Sequence, residues 1–504
     1  MKKIPFKSAP QDFDQRKMYP SSVFDLLPSE HECYVYRDLI AQLDTSTLEA
    51  TYSVKGQNAY HPRLILGILI YSYSHGIFSS RQMERQCNEN VAFMYISQLQ
   101  CPNFRVISDF RKVNPEYFRN CFLQVVRIAK EAGLVSLGHV SLDGSKFKAD
   151  TSKHKAMSYK HLKKAEAELV KEIEDLISKG KKTDEEEDKQ YGEKSGYELT
   201  EDLKFKETRL ATIRSAREAL EKREKKLNPG KEIDDKKQIS FADKDSLIMG
   251  KKGNYDYRYN GQISVDSGAQ IIVGQHLSKN CNDKQEVEAA LDEIQEATGT
   301  HPEKCSLDNG YFSGTNLKTL ADTEIDVYIA TGKGEPLGEN ESETEEKGQF
   351  PKSRFIYDSE SDSFICPGEH HLKLIRQKKD GTKIYQCEKS LCDGCAYKSR
   401  CCSSKKGEAR TVRSDVYEPL REEMREKMSQ EGAKKIYKKR KVIVEPVFGQ
   451  IKNSGFRNFH LRGYEKTKGE FAFICTVHNV KKLVKAAFKG LVRLEAGKMV
   501  PNGV

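Results

Sequence analysis

The sequence predicts an α/β layer fold with helical and cysteine-rich additions. Three observations lead there. Residues 19 to 132 read as helices, with apolar residues at helical spacing and short turns between runs. From Gly138 onward, alternating strand patterns recur with helical runs between them. That strand-bearing region is interrupted twice, by a Lys/Glu-rich stretch from Tyr159 to Lys226 and by a polar, cysteine-rich segment over 332–405.

Bulk properties agree with several modules. A chain of 504 residues exceeds one ordinary core, so two or three are expected. Apolar residues make up 37%, enough for packed cores, while 32% charged residues demand a strongly solvated element. The net charge of +10, from 85 basic and 75 acidic residues, favours a polyanionic partner. No run of 18 apolar residues offers a membrane span, so no membrane partner is expected. The start, MKKIPFKSAPQDFDQRK, has no apolar stretch behind its lysines and does not read as a secretory signal. Thirteen cysteines in such a chain read as thiols, and a cytoplasmic location follows.

The elements can be taken in order. A helix over Pro62–Ser74 ends at Gly76, and Ser79 and Ser80 offer caps for a second carrying Arg81, Arg85 and Gln86. A third follows, and Phe104–Val113, with Arg111, is a fourth. Short helices with exposed arginines suit a helix-turn-helix-like DNA reader, and a plain helical bundle fits the periodicity equally well. The first strand lies in GHVSLDGSKFKAD, with Val140 and Leu142 on one face and Ser141 and Asp143 on the other. Leu169, Ile173, Leu176, Ile177, Leu203, Leu210 and Ile213 give the charged stretch two long helices, broken near Gly180 to Lys194. Ile263 and Val265 alternate, Ser267-Gly268 turns, and Ile271–Val273 completes a hairpin. Asp283 is expected to cap a helix running to about Ala297. A strand ends at Asp308, a helix covers TNLKTLAD, and IDVYIAT is another strand. Without the charged insert, this order is similar to a ribonuclease-H-like core. The boundaries read as 1–135 for the helical domain, 136–331 with 406–490 for the core, 155–245 for the charged insert and 332–405 for the cysteine-rich insert. The tail, KGEFAFICTVHNVKKLVKAAF, has an apolar helical face suited to packing on the sheet.

Three acids stand out by context: Asp143 on the first strand, Asp308 ending a later one, and Glu445 near a late helix. Carboxylates that converge repel unless cations lie between them, which makes such a cluster a site for Mg²⁺ or Mn²⁺. Two ions about 3.5–4 Å apart support in-line phosphoryl displacement. Asp308-Asn309-Gly310 alone would read as an ordinary turn. On a continuous helix Lys441, Glu445, Phe448 and Lys452 share one face, with Phe448 buried and Lys452 reaching phosphate. Pro446 opposes that geometry and can start or kink the helix instead.

These residues carry a resemblance. HPRLILGILIYSYSHGIFSSRQMER, FRVISDFRK, SLDGSKFKAD, YDYRYNGQISVD, SLDNGYFSG and YKKRKVIVEPVFGQIKNSGFRNFHLRGYEK resemble, over nearly the whole chain, the DDE transposases of bacterial insertion sequences. The branch indicated has a Tyr-Arg-Glu-Lys signature, implying Tyr437, Arg440, Glu445 and Lys452 as its members. The wider superfamily has three residues between Arg and Glu, whereas Arg440 to Glu445 leaves four, so Lys441 competes with Arg440. The resemblance implies Asp143, Asp308 and Glu445 as ligands of two Mg²⁺ ions. It also implies terminal inverted repeats and target DNA as double-stranded partners, a homodimer on DNA, and a bacterial, nucleoid-associated setting. Asp266 is a further acid on a core strand, read as structural.

Cys366, Cys392, Cys395 and Cys401 have zinc-ligand spacing, with Cys387, Cys402, His370 and His371 as spares. A structural Zn²⁺ would organise an insertion with little apolar core, and reduced, unligated thiols are the alternative. Similar cysteines occur here in the resembling family. Cysteines 33, 87, 101, 121, 281, 305 and 475 read as small core residues.

Overall fold

The computed structural model describes residues 22–52, 59–152, 156–191, 201–251, 253–331, 350, 352–378, 381–402, 404 and 407–502. They form two compact units, one of residues up to Phe110 together with Val484–Asn502, the other Arg111–Leu483.

The first unit is helical at its start: α1 (Cys33–Ala41), α2 (Ser46–Glu49), α3 (Pro62–Ser74), α4 (Ser80–Glu89), α5 (Val91–Ile96) and the beginning of α6 (Phe104–Val113). Helix α3 begins where it should. His61 accepts a hydrogen bond from the Arg63 amide, and Pro62 occupies the first turn, where no amide proton is needed. Nearly every α3 side chain is buried, so it is the axis of this unit. Gly76, at φ 74°, ends it in the left-handed conformation that glycine adopts without strain. Asn90 caps α5 by accepting from the amides of Ala92 and Phe93.

In the second unit α7 (Pro115–Glu131) precedes β1 (Val140–Lys148). The chain then leaves the sheet through β2 (Ala156–Ser158), the long helices α8 (Tyr159–Tyr191) and α9 (Glu201–Leu227), and β3 (Gln238–Ser240). It returns as β4 (Leu247–Lys251), β5 (Asn254–Asp266) and β6 (Ile272–Ser278), followed by α10 (Val287–Thr298), β7 (Lys304–Leu307), α11 (Gly314–Ala321) and β8 (Asp326–Ile329). Among the described residues these strands form a six-stranded sheet, with β6, β5, β1, β7 and β8 side by side and β4 on the outer half of β5. β1 is antiparallel to β5 and parallel to β7, and β7 is parallel to β8. Both faces of β1 are buried at Val140, Ser141 and Leu142, so the expected alternation gives way to a covered central strand.

The charged stretch is a helical pair with a core of its own. Leu162, Leu169, Ile173, Leu210, Ile213, Ala216 and Leu220 pack with Ile239 of β3. Helix α8 continues through Gly180 to Tyr191, so of the break expected over Gly180 to Lys194 only its last residues fall between the two helices. One glycine in a long helix costs about 1 kcal/mol and does not end it. Residues 192–200 lie outside the described residues, as does the side chain of Leu203. β2 and β3 pair antiparallel at the neck, Ala156 with Ser240 and Ser158 with Gln238.

The polar stretch 332–349 also lies outside the described residues. The cysteine-rich module that follows has more architecture than its composition suggests. β9 (Ile356–Asp358), β10 (Ser363–Ile365), β11 (His371–Gln377), β12 (Lys383–Cys387) and β13 (Thr411–Ser414) form an antiparallel meander, with α12 (Lys389–Asp393) and α13 (Lys398–Cys401) between its last strands. Phe355, Phe364, Leu372, Tyr385 and Val412 bury together with Cys387, Cys392 and Cys401. The expectation of little apolar core is corrected here, and β13 carries the sheet past position 405.

The chain continues through α14 (Glu418–Ser429), α15 (Glu431–Lys438), α16 (Arg440–Ile443), α17 (Glu445–Asn453) and α18 (Tyr464–Phe488). As expected, the tail packs on the sheet: Asn479 of α18 makes two 2.8 Å hydrogen bonds with the backbone of Ile272. In the first unit the chain closes with the hairpin β14 (Val492–Glu495) and β15 (Lys498–Pro501), whose Met499 amide donates to Gln42. No helix among the described residues is long and apolar enough to cross a membrane.

Candidate active site

The site begins with strand register. Val140 pairs with Cys305 and Ser141 with Ser306 in the parallel β1–β7 ladder. Two residues further along, Asp143 and Asp308 therefore come level on neighbouring strands. Buried hydroxyls fix that register, since Ser141 and Ser306 share a 2.6 Å hydrogen bond and His139 lies 3.0 Å from Ser306. Asp308 follows the last residue of β7 and opens a turn, its Oδ1 accepting from the Gly310 amide at 2.7 Å. Asp308 is thus the turn residue that its Asp-Asn-Gly context predicts.

Glu445 is the first residue of α17, and Pro446 takes the first turn. The helix is not continuous through it, because α16 ends at Ile443. The four-residue alignment of Lys441 with Glu445 consequently fails. Lys441 is exposed, whereas Arg440 is buried between the acids. Its Nη2 lies 2.8 Å from Asp143 Oδ1 and its Nη1 3.3 Å from Glu445 Oε1. Arg440 Nε is buried without a hydrogen-bond acceptor among the described residues.

Burial pushes the Asp143 carboxyl up to about 6; Arg440 opposes this, while Asp308 and Asp283 add to it. Burial raises the Tyr437 hydroxyl on α15 as well, with Arg440 opposing and the carboxylates of Asp308, Glu445 and Asp143 adding to the rise. Lys452, as expected, is on α17 near the acids, donating to Ser145 of β1 at 2.6 Å. Its ammonium lies over the rings of Phe147 and Phe448, at 5.3 and 5.9 Å. Those rings belong to a buried aromatic group with Phe456, Phe459 and Phe471 that anchors α17 against β1.

Sequence reasoning missed Asp283. Glu286, not Asp283, occupies the N-cap of α10. The Asp283 carboxylate turns instead toward β5 and β1, accepting from Asn260 and Gln262 and lying 3.6 Å from Lys146. The available signal was two amide side chains, Asn260 and Gln262, inside a strand that is otherwise core. Tyr311 also donates to Gln262. Asp266 is structural as expected, its carboxylate accepting from the amides of Leu137 and Gly268 at 2.8 Å.

The arginines expected to touch DNA divide. Arg81 is exposed and lies 4.9 Å from the centre of the Phe104 ring. Arg85 is exposed beside Glu89. Arg111 is buried, because it falls one turn after buried Ile107 on the inward face of α6. Cys33, Cys87, Cys121, Cys305 and Cys475 are core residues as expected, but Cys101 is half-buried and Cys281 exposed.

Cys366, Cys387, Cys392, Cys395, Cys401 and Cys402 line one cavity with His370, while the His371 side chain lies 2.8 Å from Ser363. Gly368 bends closely around two of these thiols, since a Cβ there would lie 3.1 Å from Cys395 Sγ and 3.7 Å from Cys366 Sγ.

Among the described residues, no group of three or more His, Cys, Asp or Glu side chains is disposed to hold a metal ion. At the acids, the Arg440 guanidinium occupies the space between Asp143 and Glu445. The donor chemistry nonetheless suits a hard divalent cation: carboxylate oxygens, two of them level on adjacent strands. Gly310 keeps the space beside Asp308 open, for a Cβ there would lie 2.8 Å from Asp308 Oδ1.

Residues 365–484 match a family model described as a transposase DDE domain, and residues 21–113 match one described as a transposase domain (DUF772). The first match contains Glu445, Arg440, Lys452 and the cysteines, and lies beyond Asp143 and Asp308. No curated protein and no solved structure matches the chain.

Proposed function

The chain belongs to the insertion-sequence DDE transposases, and from that premise we propose that it binds the terminal inverted repeats of its own element, cleaves DNA at the element ends and joins the freed 3′-hydroxyls to target DNA. The observation that carries this reading is the parallel pairing of Ser141 with Ser306, two residues before Asp143 and Asp308, with Glu445 tied to Asp143 through Arg440. The strand order β6-β5-β1-β7-β8 supports a ribonuclease-H-like core spanning 136–331 and 406–490, with 155–245 and 332–405 as its inserts.

Asp143, Asp308 and Glu445 would hold two Mg²⁺ or Mn²⁺ ions, which when bound activate the attacking oxygen and stabilise the leaving one. Lys452, braced by Ser145, is suited to a phosphate near the scissile bond. Arg440 is the stronger candidate over Lys441 for the basic partner, since it already faces the acids and its guanidinium can grip a phosphate with two hydrogen bonds. Tyr437 would border the same strand of DNA. The helices of 1–135, through Arg81 and Arg85, would read the terminal repeat, whereas Arg111 is buried and would not touch DNA. Two ends must be held together, so a homodimer on DNA is part of the reading, in a cytoplasmic, nucleoid-associated setting. Cys366, Cys392, Cys395 and Cys401 would hold one structural Zn²⁺, a reading supported by the cavity they share.

Nicking of a plasmid carrying the element ends tests the proposal. Activity is expected with Mg²⁺ and not with Ca²⁺. Asp143→Asn, Asp308→Asn and Glu445→Gln should each abolish it while leaving DNA binding nearly intact, and Arg440→Ala should cost more than Lys441→Ala. Full cleavage by any one acid variant would remove that residue from the site.

A further inference from the structure

The loop between β6 and α10 is tied down on both sides of Asp283. Before it, Ser278 and Asn280 donate at 2.7 Å to buried Glu286, which lies 2.8 Å from His276 Nε2. After it, Asn316 donates to the Asp283 carbonyl at 3.3 Å and Ser313 to that of Lys284 at 2.8 Å. Within it, Asp283 Oδ1 accepts from Asn260 Nδ2 at 2.7 Å and Gln262 Nε2 at 2.6 Å. Asn260 and Gln262 are only 0% and 2% exposed, and Asn260 Oδ1 meets no donor among the described residues. A buried amide oxygen left unsatisfied is costly, yet the fold keeps it while Asn260 Nδ2 serves Asp283.

Two glycines show where the carboxylate stands. A Cβ on Gly144, the residue after Asp143, would lie 2.9 Å from Asp283 Oδ1. A Cβ on Gly310 would lie 2.8 Å from Asp308 Oδ1 and 3.1 Å from Asp283 Oδ2, so the two carboxylates flank one point. Uncharged donors orient Asp283 without cancelling its charge, and Lys146, 3.6 Å away, offsets it only in part. Carboxylates held this close oppose folding unless a cation shares their field.

We propose that Asp283 is a positioning residue for the cation site, whose fixed negative charge beside Asp308 strengthens the hold of Asp143 and Asp308 on a divalent ion. This rests on the function proposed above. It differs from a purely structural role, in which an asparagine would serve the loop equally well.

The test is Mn²⁺ binding to the full-length, DNA-free protein, read by electron paramagnetic resonance beside the thermal midpoint. Asp283→Asn keeps an oxygen for Asn260 and Gln262 and removes only the charge. It is expected to bind Mn²⁺ about tenfold more weakly at a midpoint no lower than that of wild type, because charge count sets divalent affinity. The Mg²⁺ requirement for nicking should rise in parallel. Wild-type Mn²⁺ affinity in Asp283→Asn, with loss only in Asp283→Ala, would overturn the proposal. If Asp283→Asn lowers the midpoint, Lys146→Gln decides: unmasking the carboxylate should tighten Mn²⁺ binding, and an unchanged or weaker affinity overturns it. Wild-type protein that binds Mn²⁺ but never nicks DNA would count against the transposase mechanism and leave Asp283 in its role. Wild-type protein that binds none would sink both.

Discussion

At the scale of single residues, the half-buried acids set against one another give a stability that depends on pH. Asp143 titrates at about 6 against an ordinary 3.8, chiefly through burial. A carboxyl raised in this way contributes stability that is fully present below about pH 4 and lost as pH rises through about 6. Asp143→Asn should therefore stabilise the cation-free protein at about pH 8, by at most about 3 kcal/mol for a shift of two units, and change little near pH 4. Thermal melts in a chelating buffer at the two pH values check this; equal effects at both would show that burial is not what raises Asp143. Asp143, Asp308 and Glu445 stood out as candidates in the sequence because strand ends and a helix start are local signals. Asp283 was not, because Asn282-Asp283 ahead of a helix looks like a cap, and only the β1–β5 pairing reveals Gly144 and Gln262 beneath it. The choice between Arg440 and Lys441 likewise turned on a helix break at Val444 that Pro446 made readable only as one of two outcomes.

At the scale of elements, periodicity read the long and regular pieces well. Pro62–Ser74 and Phe104–Val113 emerged with the expected bounds, and Ile263, Val265 and the Ser267-Gly268 turn marked the hairpin of β5 and β6. The cysteine-rich meander was missed because its strands run three to seven residues and carry lysines and arginines, as edge-rich small sheets do. Its aromatic core bears on the metal question. Phe355, Phe364, Leu372 and Tyr385 give the meander a packed centre, so loss of zinc should loosen the thiol end rather than the whole sheet. About one zinc per chain is expected on metal analysis of protein purified under reducing conditions. Chelation should then expose Cys366, Cys392, Cys395 and Cys401 to an alkylating reagent before Cys305 in the six-stranded sheet. Metal-free protein with these thiols already reactive would settle the matter for unligated cysteines.

At the scale of the whole molecule, the charged insert is separable. Its apolar residues pack on one another and on Ile239, and Ser158 faces Gln238 at the top of the neck. Replacing everything between these two residues with Asn-Gly should convert the neck into a two-residue hairpin. The shortened protein is expected to keep a cooperative melt and its Mn²⁺ binding, and loss of cooperative unfolding would show that the insert supports the sheet. The same neck bears on how the chain finds its fold. Lys148 pairs with Arg258, so the central ladder must close across the whole insert. Once β2 and β3 have met, the free path between those partners is roughly fourfold shorter, which spares about 1 kcal/mol of loop-closure entropy. Helix pairs form from near neighbours and form fast. An insert that folds first thus acts as a splint, delivering the two halves of the central sheet to each other as if they had always been adjacent in the chain.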